Sequence, residues 1–504
     1  MPFKIQTKYI KYILFSILTV FFFNVNAQEK IELLQAGELE GGMFNGMSIR
    51  KLKHDVRFKQ ADTYVYCDSA YQYADKNAIE AFGHVKIKQP NGTTITSENL
   101  TYNGDTKLIN FRGNVVMKDK SMTLTTPDLD YDANTKTAIY THGGTIVDKD
   151  TKLESEYGNY NTNSKLFTFK NKVHLHNKEH DLTTDTLFYK SDLKTAYFKG
   201  PTDIKTKDGN LYSTDGEYHT DKNLLTLKGK STIDNADFIL SGDKVHFDNK
   251  KKEGDASGNV TITFKKENII IAGDKAMYRG KKYFTKVWGK SLMKSIVDKD
   301  TLYLKADTLI SINDTIHKNR KLTAIRDVKI YKNDLQGRCD SLVYNLQDST
   351  INFFDDPVLW NDKSQMTGDS IKIQMAHNKI DKLYLRVKSF IISKDTMENF
   401  NQIKGKKITA YFKENKIQLV DVFGNGESIY FATENDTSLV GMNKVICSNM
   451  LMRFKENKLQ NISFLTKPEA QFIPPHEISA PDARLKGFKW RIAEKPLKKD
   501  MIVR

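Results

Sequence analysis

Apolar and polar residues alternate with a period of two along most of this chain. In LINFRGNVVM, Ile109, Phe111, Gly113, Val115 and Met117 point one way, and Asn110, Arg112 and Asn114 the other. That alternation predicts strands with one buried face and one wet face. The frame then repeats. A ring recurs at Tyr102, Tyr131, Tyr160, Tyr189, Tyr218 and Phe247, each 29 residues after the last. Eleven residues beyond these rings stand Gly113, His142, Asn171, Gly200, Gly229 and Gly258. Gly and Asn tolerate bent or left-handed backbone most cheaply, so this position predicts a bend or bulge within a long strand, with His142 as a tolerated bend residue. Carried forward, the inward column of Ile109, Phe111, Val115 and Met117 becomes Phe167, Phe169, Val173 and Leu175, then Phe198 and Ile204. It continues as Leu225 and Leu227, then Val260, Ile262 and Phe264. Thr168, Lys170, Lys172, His174, Lys199 and Lys228 fall on the outward face.

Each unit reads as two strands and two polar turns, such as Asn103-Gly104-Asp105 after the ring and Lys207-Asp208-Gly209 between units. Short polar turns join antiparallel neighbours. The fold class expected is therefore all-β, an elongated antiparallel repeat array of roughly 29-residue units. Beyond Phe247 the ring position is expected at Tyr278, Ser311, Tyr344, Ile373, Phe412 and Phe454, with widening spacing. Asp243, Asp274, Asp307, Asp340 and Asp369 precede it by four residues and read as strand-start turns or surface charges. Four segments follow: 1–27, a regular region 28–300, a divergent continuation 301–466, and a basic, Pro-containing tail or cap at 467–504.

Length sharpens this picture. The 504 residues exceed what one compact core holds, but a stacked array buries each unit against its neighbours. Residues 1–27 carry Lys4, Lys8 and Lys11, an apolar run from Tyr12 to Phe23, and small residues at Val25-Asn26-Ala27. This predicts a cleaved secretory signal peptide and an exported, periplasmic chain. The formal net charge of +16 then favours anionic lipid head groups or anionic polysaccharide as partners, and no nucleic acid. The three Cys residues, Cys67, Cys339 and Cys447, are too far apart in an extended array to bridge and read as free, buried thiols.

Candidate chemistry is sparse. His174-Leu175-His176, with His180 nearby, has the spacing of a metal site, but it lies on the lysine-bearing face with no carboxylate or Cys expected beside it. No metal, cofactor or catalytic residue is assigned, and no nucleophile elbow, phosphate loop or HExxH is present. The apolar column carries the functional content. Small members (Gly113, Gly144, Gly200, Ser231, Ala256) are expected to leave a wide sheet under-filled. Lys118, Lys120, Lys149, Lys152, Lys205, Lys207, Lys265 and Lys266 cluster at turns along one rim. An apolar trough with a basic rim suits an amphiphile with an anionic head. The opposing reading is a structural or surface-adhesive β-solenoid with a dry core. A third is an envelope enzyme carried by the irregular 300–465 region.

The cadence of AFGHVKI, NFRGNVVM and DASGNVTITF, each followed by a segment such as TSENLTY, TTPDLDY or AGDKAMY, resembles the OstA-like/LptA-like family of periplasmic lipopolysaccharide-transport proteins. The resemblance covers about residues 60–300 closely and 300–465 loosely. It implies a bent antiparallel sheet, a β-taco or β-jelly-roll, whose interior receives acyl chains. It further implies a passive conduit or bridge delivering lipopolysaccharide or a similar glycolipid to the outer membrane. The implied partners are that glycolipid, other lipopolysaccharide-transport proteins through the sheet edges, and further copies head to tail. The inward column listed above is the implied lipid-binding surface.

Overall fold

The structure, a computed structural model, describes residues 31–502 except 45, 61, 91, 119–121, 149–150, 162, 179, 191, 208, 220, 249, 267, 298–299, 315, 317, 378, 415, 435–437 and 457. The expected signal segment, Lys120 and Lys149 lie outside the described residues. The chain forms two compact units, one ending at Ala138 and one beginning at Ile139. Both are all-β and antiparallel. In the first, the strands Met47–Gln60, Thr63–Tyr73, Ala78–Lys88, Thr94–Asn103, Leu108–Lys118 and Thr123–Asp132 pair in chain order. In the second, the same up-and-down pairing runs from Leu166–His176 to Lys458–Leu465. It passes residue 300 unbroken, since Phe284–Val297 pairs with Asp300–Asp314.

Every second strand turns a corner at one or two residues in the left-handed region: a single residue at Gly143, Gly200 and Gly229, and a consecutive pair at the others. Gly83-His84 has φ of 70° and 40°, Gly113-Asn114 77° and 46°, and Asn171-Lys172 60° and 51°. Gly258-Asn259, Gly289-Lys290, Arg326-Asp327, Val387-Lys388 and Gly424-Asn425 repeat the geometry. At each corner the register slips: Arg112 faces Asp128 but Val115 faces Thr126, so Gly113 and Asn114 together oppose Pro127. The one extra residue and the left-handed backbone bend the strand sharply, giving each strand two arms on either side of a crease. Some strands part completely there. Thr350–Phe354 and Val358–Asn361 both pair with Leu335–Asn345. The bend expected at His142 is made by its neighbour Gly143, φ 89°, because Gly enters this region without a Cβ penalty.

The corners are clamped from the preceding strand. Asn114 Nδ2 donates to Glu98 Oε1 at 2.6 Å, Asn259 Nδ2 to Asp243 Oδ2 at 2.9 Å, and Arg326 to Asp307 at 2.7 Å. His84 Nδ1 lies 2.8 Å from Asp68 Oδ2, and Lys388 pairs with Asp369. The recurring Asp is thus more than a strand-start residue. Its side chain fills the space beside the corner Gly, where a Cβ on Gly258 would strike Asp243 and one on Gly289 would strike Asp274. Gly113 and Gly200 are likewise turned to Glu98 and Asp185, and so do not belong to the inward column.

Inside the crease a seam of buried hydroxyls takes up carbonyls that the slipped ladder leaves unpaired. Ser213 Oγ donates to Asp215 O (2.8 Å) or Lys228 O (2.9 Å) and meets Ser231 Oγ at 3.0 Å. Thr184 and Thr202 form the same pair at 2.8 Å, and Thr126 donates to Asp128 O. Cys67, Cys339 and Cys447 occupy this seam as free, buried thiols, opposite Val56, Val328 and Gly426.

The tail has a defined course. Glu469–Ile473 completes the last strand beside Ser438–Lys455. The chain then crosses the outer face of the neighbouring strands. Gln402 accepts from Leu485 N–H (2.9 Å) and donates to Ala483 O (2.8 Å), and Gln365 accepts from Arg491 N–H (2.6 Å) and donates to Lys489 O (2.7 Å). Both Gln side chains are buried, and Phe390, Ile392, Ile429, Phe431 and Met442 pack against Leu485, Phe488 and Trp490 between them. Arg491 fastens the strap to Asp356, and Glu494 to Arg338.

Three substitutions test this account. Gly258→Val places a β-branched side chain at φ 74° against Asp243 and should destabilise the fold by about 1–3 kcal/mol. Val387→Gly should act oppositely. Relief of about 1–2 kcal/mol of left-handed strain exceeds the roughly 0.5–1 kcal/mol of added unfolded-chain freedom, so the urea midpoint should rise. Gln402→Ala strands the amide of Leu485 and the carbonyl of Ala483. It should cost about 1–3 kcal/mol and make residues 474–502 cleavable by protease before the sheet is.

Candidate functional site

The inner face of the second unit is built from rows of side chains that cross the strands. On one arm the ring series forms such a row: Tyr160, Phe167, Tyr189, Ala196, Tyr218, Leu225 and Phe247 are successive cross-strand partners. The row continues through Tyr278, Ser311, Tyr344 and Ile373 at the expected positions. Further on it uses Ala410 and Met452 in place of Phe412 and Phe454, because extra bulges at Tyr411/Phe412 and Arg453/Phe454 shift the frame. Nearer the crease, Phe169, Leu187, Phe198, Gly216, Leu227, Val245 and Ala256 make a second row. Val173, Thr184, Thr202, Ser213, Ser231, Gly242 and Val260 form the seam itself. On the other arm runs an aliphatic row of Leu153, Leu175, Leu182, Ile204, Leu211, Ile233, Leu240, Ile262, Ile271, Met293 and Leu304.

The structure brings the column residues of the second unit into one hydrophobic cluster, in two degrees of burial. Phe169, Val173, Phe198, Leu225, Leu227, Val260 and Ile262 are buried. Phe167, Leu175, Ile204 and Phe264 pack on them while remaining partly exposed. In the first unit Phe111 and Val115 are fully buried, and Ile109 and Met117 half-buried. The interior is therefore filled at the crease and reached by solvent along the arms.

The small residues do not leave it under-filled. The Phe198 ring occupies the space over Gly216, and Tyr140 covers Gly144 and Gly158. Tyr140 is buried, which raises its pKa, and its hydroxyl meets Ser155 Oγ at 2.7 Å. Ser231 is fully buried and hydrogen-bonded to Ser213. Nor is the basic rim uniformly free. Lys265 pairs with Asp234 (2.5 Å), Lys266 with Asp237 (2.8 Å) and Lys152 with Glu154 (2.7 Å), while Lys118, Lys205 and Lys207 are exposed.

Carboxylates do stand beside the histidine pair. His174 Nε2 is 2.8 Å from Asp181 Oδ1, His176 Nδ1 is 3.4 Å from Asp181 Oδ2, and Glu154 lies 4.0 Å from His174 Nδ1. The pairing with His174 holds Asp181 below its ordinary carboxylate range. Sequence reading missed both acids because they arrive from neighbouring strands. The side chain of His180 lies outside the described residues. Among the described residues no group of three or more His, Cys, Asp and Glu is placed to hold a metal ion.

Comparison with known families fits this geometry. Residues 28–185 match the family model described as OstA-like protein, and residues 294–379 the model described as LptA/(LptD N-terminal domain) LPS transport protein. The chain is OstA/LptA-like. Among solved structures it is similar to LptH, the LptA homologous periplasmic component of the conserved lipopolysaccharide transport device from Pseudomonas aeruginosa. The two share 16% identity over 23% of this chain and 82% of that one, with a TM-score of 0.21. No curated protein matches. In this OstA/LptA-like chain the bent strand is thus read from its own register and φ angles.

Burial raises the Cys67 and Cys339 thiols to about 12 and raises Cys447 as well. Cys67 and Cys339 stay protonated below that range. The native protein at pH 8 should therefore resist a thiol-alkylating reagent, and the urea-unfolded protein should take up three equivalents, measured by mass shift. Fast labelling of the native chain would show that the crease opens.

Proposed function

We propose that this chain binds lipopolysaccharide or a similar glycolipid in the periplasm and passes it toward the outer membrane as a passive conduit or bridge component. The observation that carries the reading is the set of partly exposed apolar side chains within the inner rows of the arms, set beside a buried crease. Phe167, Leu175, Ile204 and Phe264 offer large apolar surface that folding alone does not cover. Each acyl CH₂ buried there contributes about 0.8 kcal/mol, so tails are held without covalent chemistry and slide between equivalent strands. Exposed Lys118, Lys205 and Lys207 at the arm ends suit an anionic head group. The OstA-like and LptA/LptD-type matches support the same substrate class. Sheet edges and further copies of the chain are the contacts through which a conduit would extend.

The packed crease favours a dry core at one level only. Val115 and Val173 are 0% and 1% exposed, so a charge there should unfold the protein and says nothing about ligand. The informative positions are the half-buried ones. Leu175→Glu combined with Phe264→Glu should weaken binding of lipopolysaccharide to delipidated protein by at least about tenfold, a loss near 1.4 kcal/mol. The β-sheet circular dichroism should be unchanged. A photoreactive residue at Leu175 should crosslink lipopolysaccharide, and one at Lys199 on the outer face should not. Equal crosslinking at both positions, or none at either, would favour the ligand-free solenoid.

A further inference from the structure

The strap presents a surface of its own. Past Arg491 it exposes Ile492 (46%), Leu497 (49%) and Ile502 (52%), while Met501 beside them is fully buried and holds the segment down. Lys498 and Lys499 stand between these tips and are exposed. The segment is fixed in place. Lys305 donates to Asp500 O at 2.8 Å, Leu497 N–H donates to Asp500 Oδ2 at 3.0 Å, and Lys495 donates to Asp362 O at 3.2 Å. Lys498 lies within electrostatic range of Asp300, where the next hairpin begins. That hairpin contributes Ile296, 66% exposed, paired with Thr301 on the outer-facing register that also carries Lys305.

We infer that this patch, Ile296, Ile492, Leu497 and Ile502 with Lys498 and Lys499, docks the protein on the surface of an anionic phospholipid bilayer. Three features select that occupant. The apolar groups are separate protruding side chains, which a headgroup region accommodates and a folded partner would need matched pockets to receive. The lysines sit among them with alkyl stems able to lie along the apolar surface while the ammonium groups meet phosphate. Residues 491–502 carry Arg491, Lys495, Lys498 and Lys499 against Glu494 and Asp500, and Lys305 stands against Asp300 beside them, so the local charge is positive. A second copy of the same patch would meet it with like charge. The inference does not depend on the inner face holding lipopolysaccharide.

The test is flotation of the full chain with vesicles free of lipopolysaccharide. Phosphatidylcholine vesicles carrying one-third phosphatidylglycerol should bind, and pure phosphatidylcholine vesicles should bind at least about tenfold less. Raising salt from about 0.1 M to about 0.5 M should weaken the attachment. Leu497→Glu with Ile502→Glu should reduce binding about tenfold. The milder Leu497→Ser with Ile502→Ser should reduce it in part, and protease resistance of the strap should report that it stays docked. Lys498→Ala with Lys499→Ala should remove the preference for anionic vesicles. Lys228→Ala with Lys230→Ala, an equal charge change elsewhere on the second unit, should leave it intact. Equal loss in that control would overturn the inference in favour of diffuse charge. Unchanged binding by the Leu497/Ile502 variants would also overturn it. So would vesicle-independent dimerisation that those variants abolish, because the occupant would then be a second copy.

Discussion

The structure depends on one backbone constraint, a left-handed corner of one or two residues in the middle of every second strand. A flat sheet this wide would offer both faces to water and bury neither. The corner folds each strand onto itself, so the apolar positions of both arms converge on one side. Everything else accommodates that bend. A side chain on the preceding strand, an acid at most corners but Thr214 at Gly229 and Lys406 at Gly424, meets the corner residues. Small side chains fill the angle, and buried hydroxyls take up the carbonyls that the slipped ladder abandons. Where Gly is absent, as at Val387-Lys388 and Arg326-Asp327, the bend persists under strain because the neighbouring strands on both sides impose it.

The alternation of apolar and polar residues was enough to read the antiparallel pairing, the inward column and the ring row through Ile373. Those features are local to a strand or set by a fixed repeat. The corner chemistry was less legible. Gly113 lies on the apolar side in a strict period-two count, yet it faces Glu98, because two residues spent in the corner interrupt the count. The recurring Asp was visible as a pattern, but its partner comes from the next strand, and cross-strand contacts carry no sequence spacing of their own. The same reason hid Asp181 and Glu154 from a reading of His174 and His176. Under-filling at small residues was misjudged because rings from adjacent strands, Phe198 and Tyr140, lean over Gly216 and Gly158.

The late strands show what happens when the wet face is taken away. Ordinary units place Lys170, Lys199 or Lys228 on the outer face. In the last units Phe390, Ile392, Ile429 and Phe431 occupy it, and the strap covers them. The loss of alternation in SFIIS and SIYFAT is the written trace of a sheet buried on both faces. The strap is attached largely through its backbone. Gln365 and Gln402 each offer one donor and one acceptor to the two peptide units that flank a strap residue, Trp490 and Arg484 respectively, while the strap crosses the strands.

The hydroxyl seam has a consequence for how such a chain varies in evolution. Each corner finds its clamp on the preceding strand and its carbonyl partners within an adjacent strand pair, so no corner draws on a distant one. A duplication or deletion of a whole 29-residue unit joins equivalent ends and leaves every remaining corner satisfied. A gain or loss of a single residue inside a strand arm, between a hairpin tip and its corner, moves the side chains of that arm to the opposite face. Indels in such genes should therefore fall into two tolerated classes, whole units and hairpin tips, with almost none inside the strand arms between a tip and a corner.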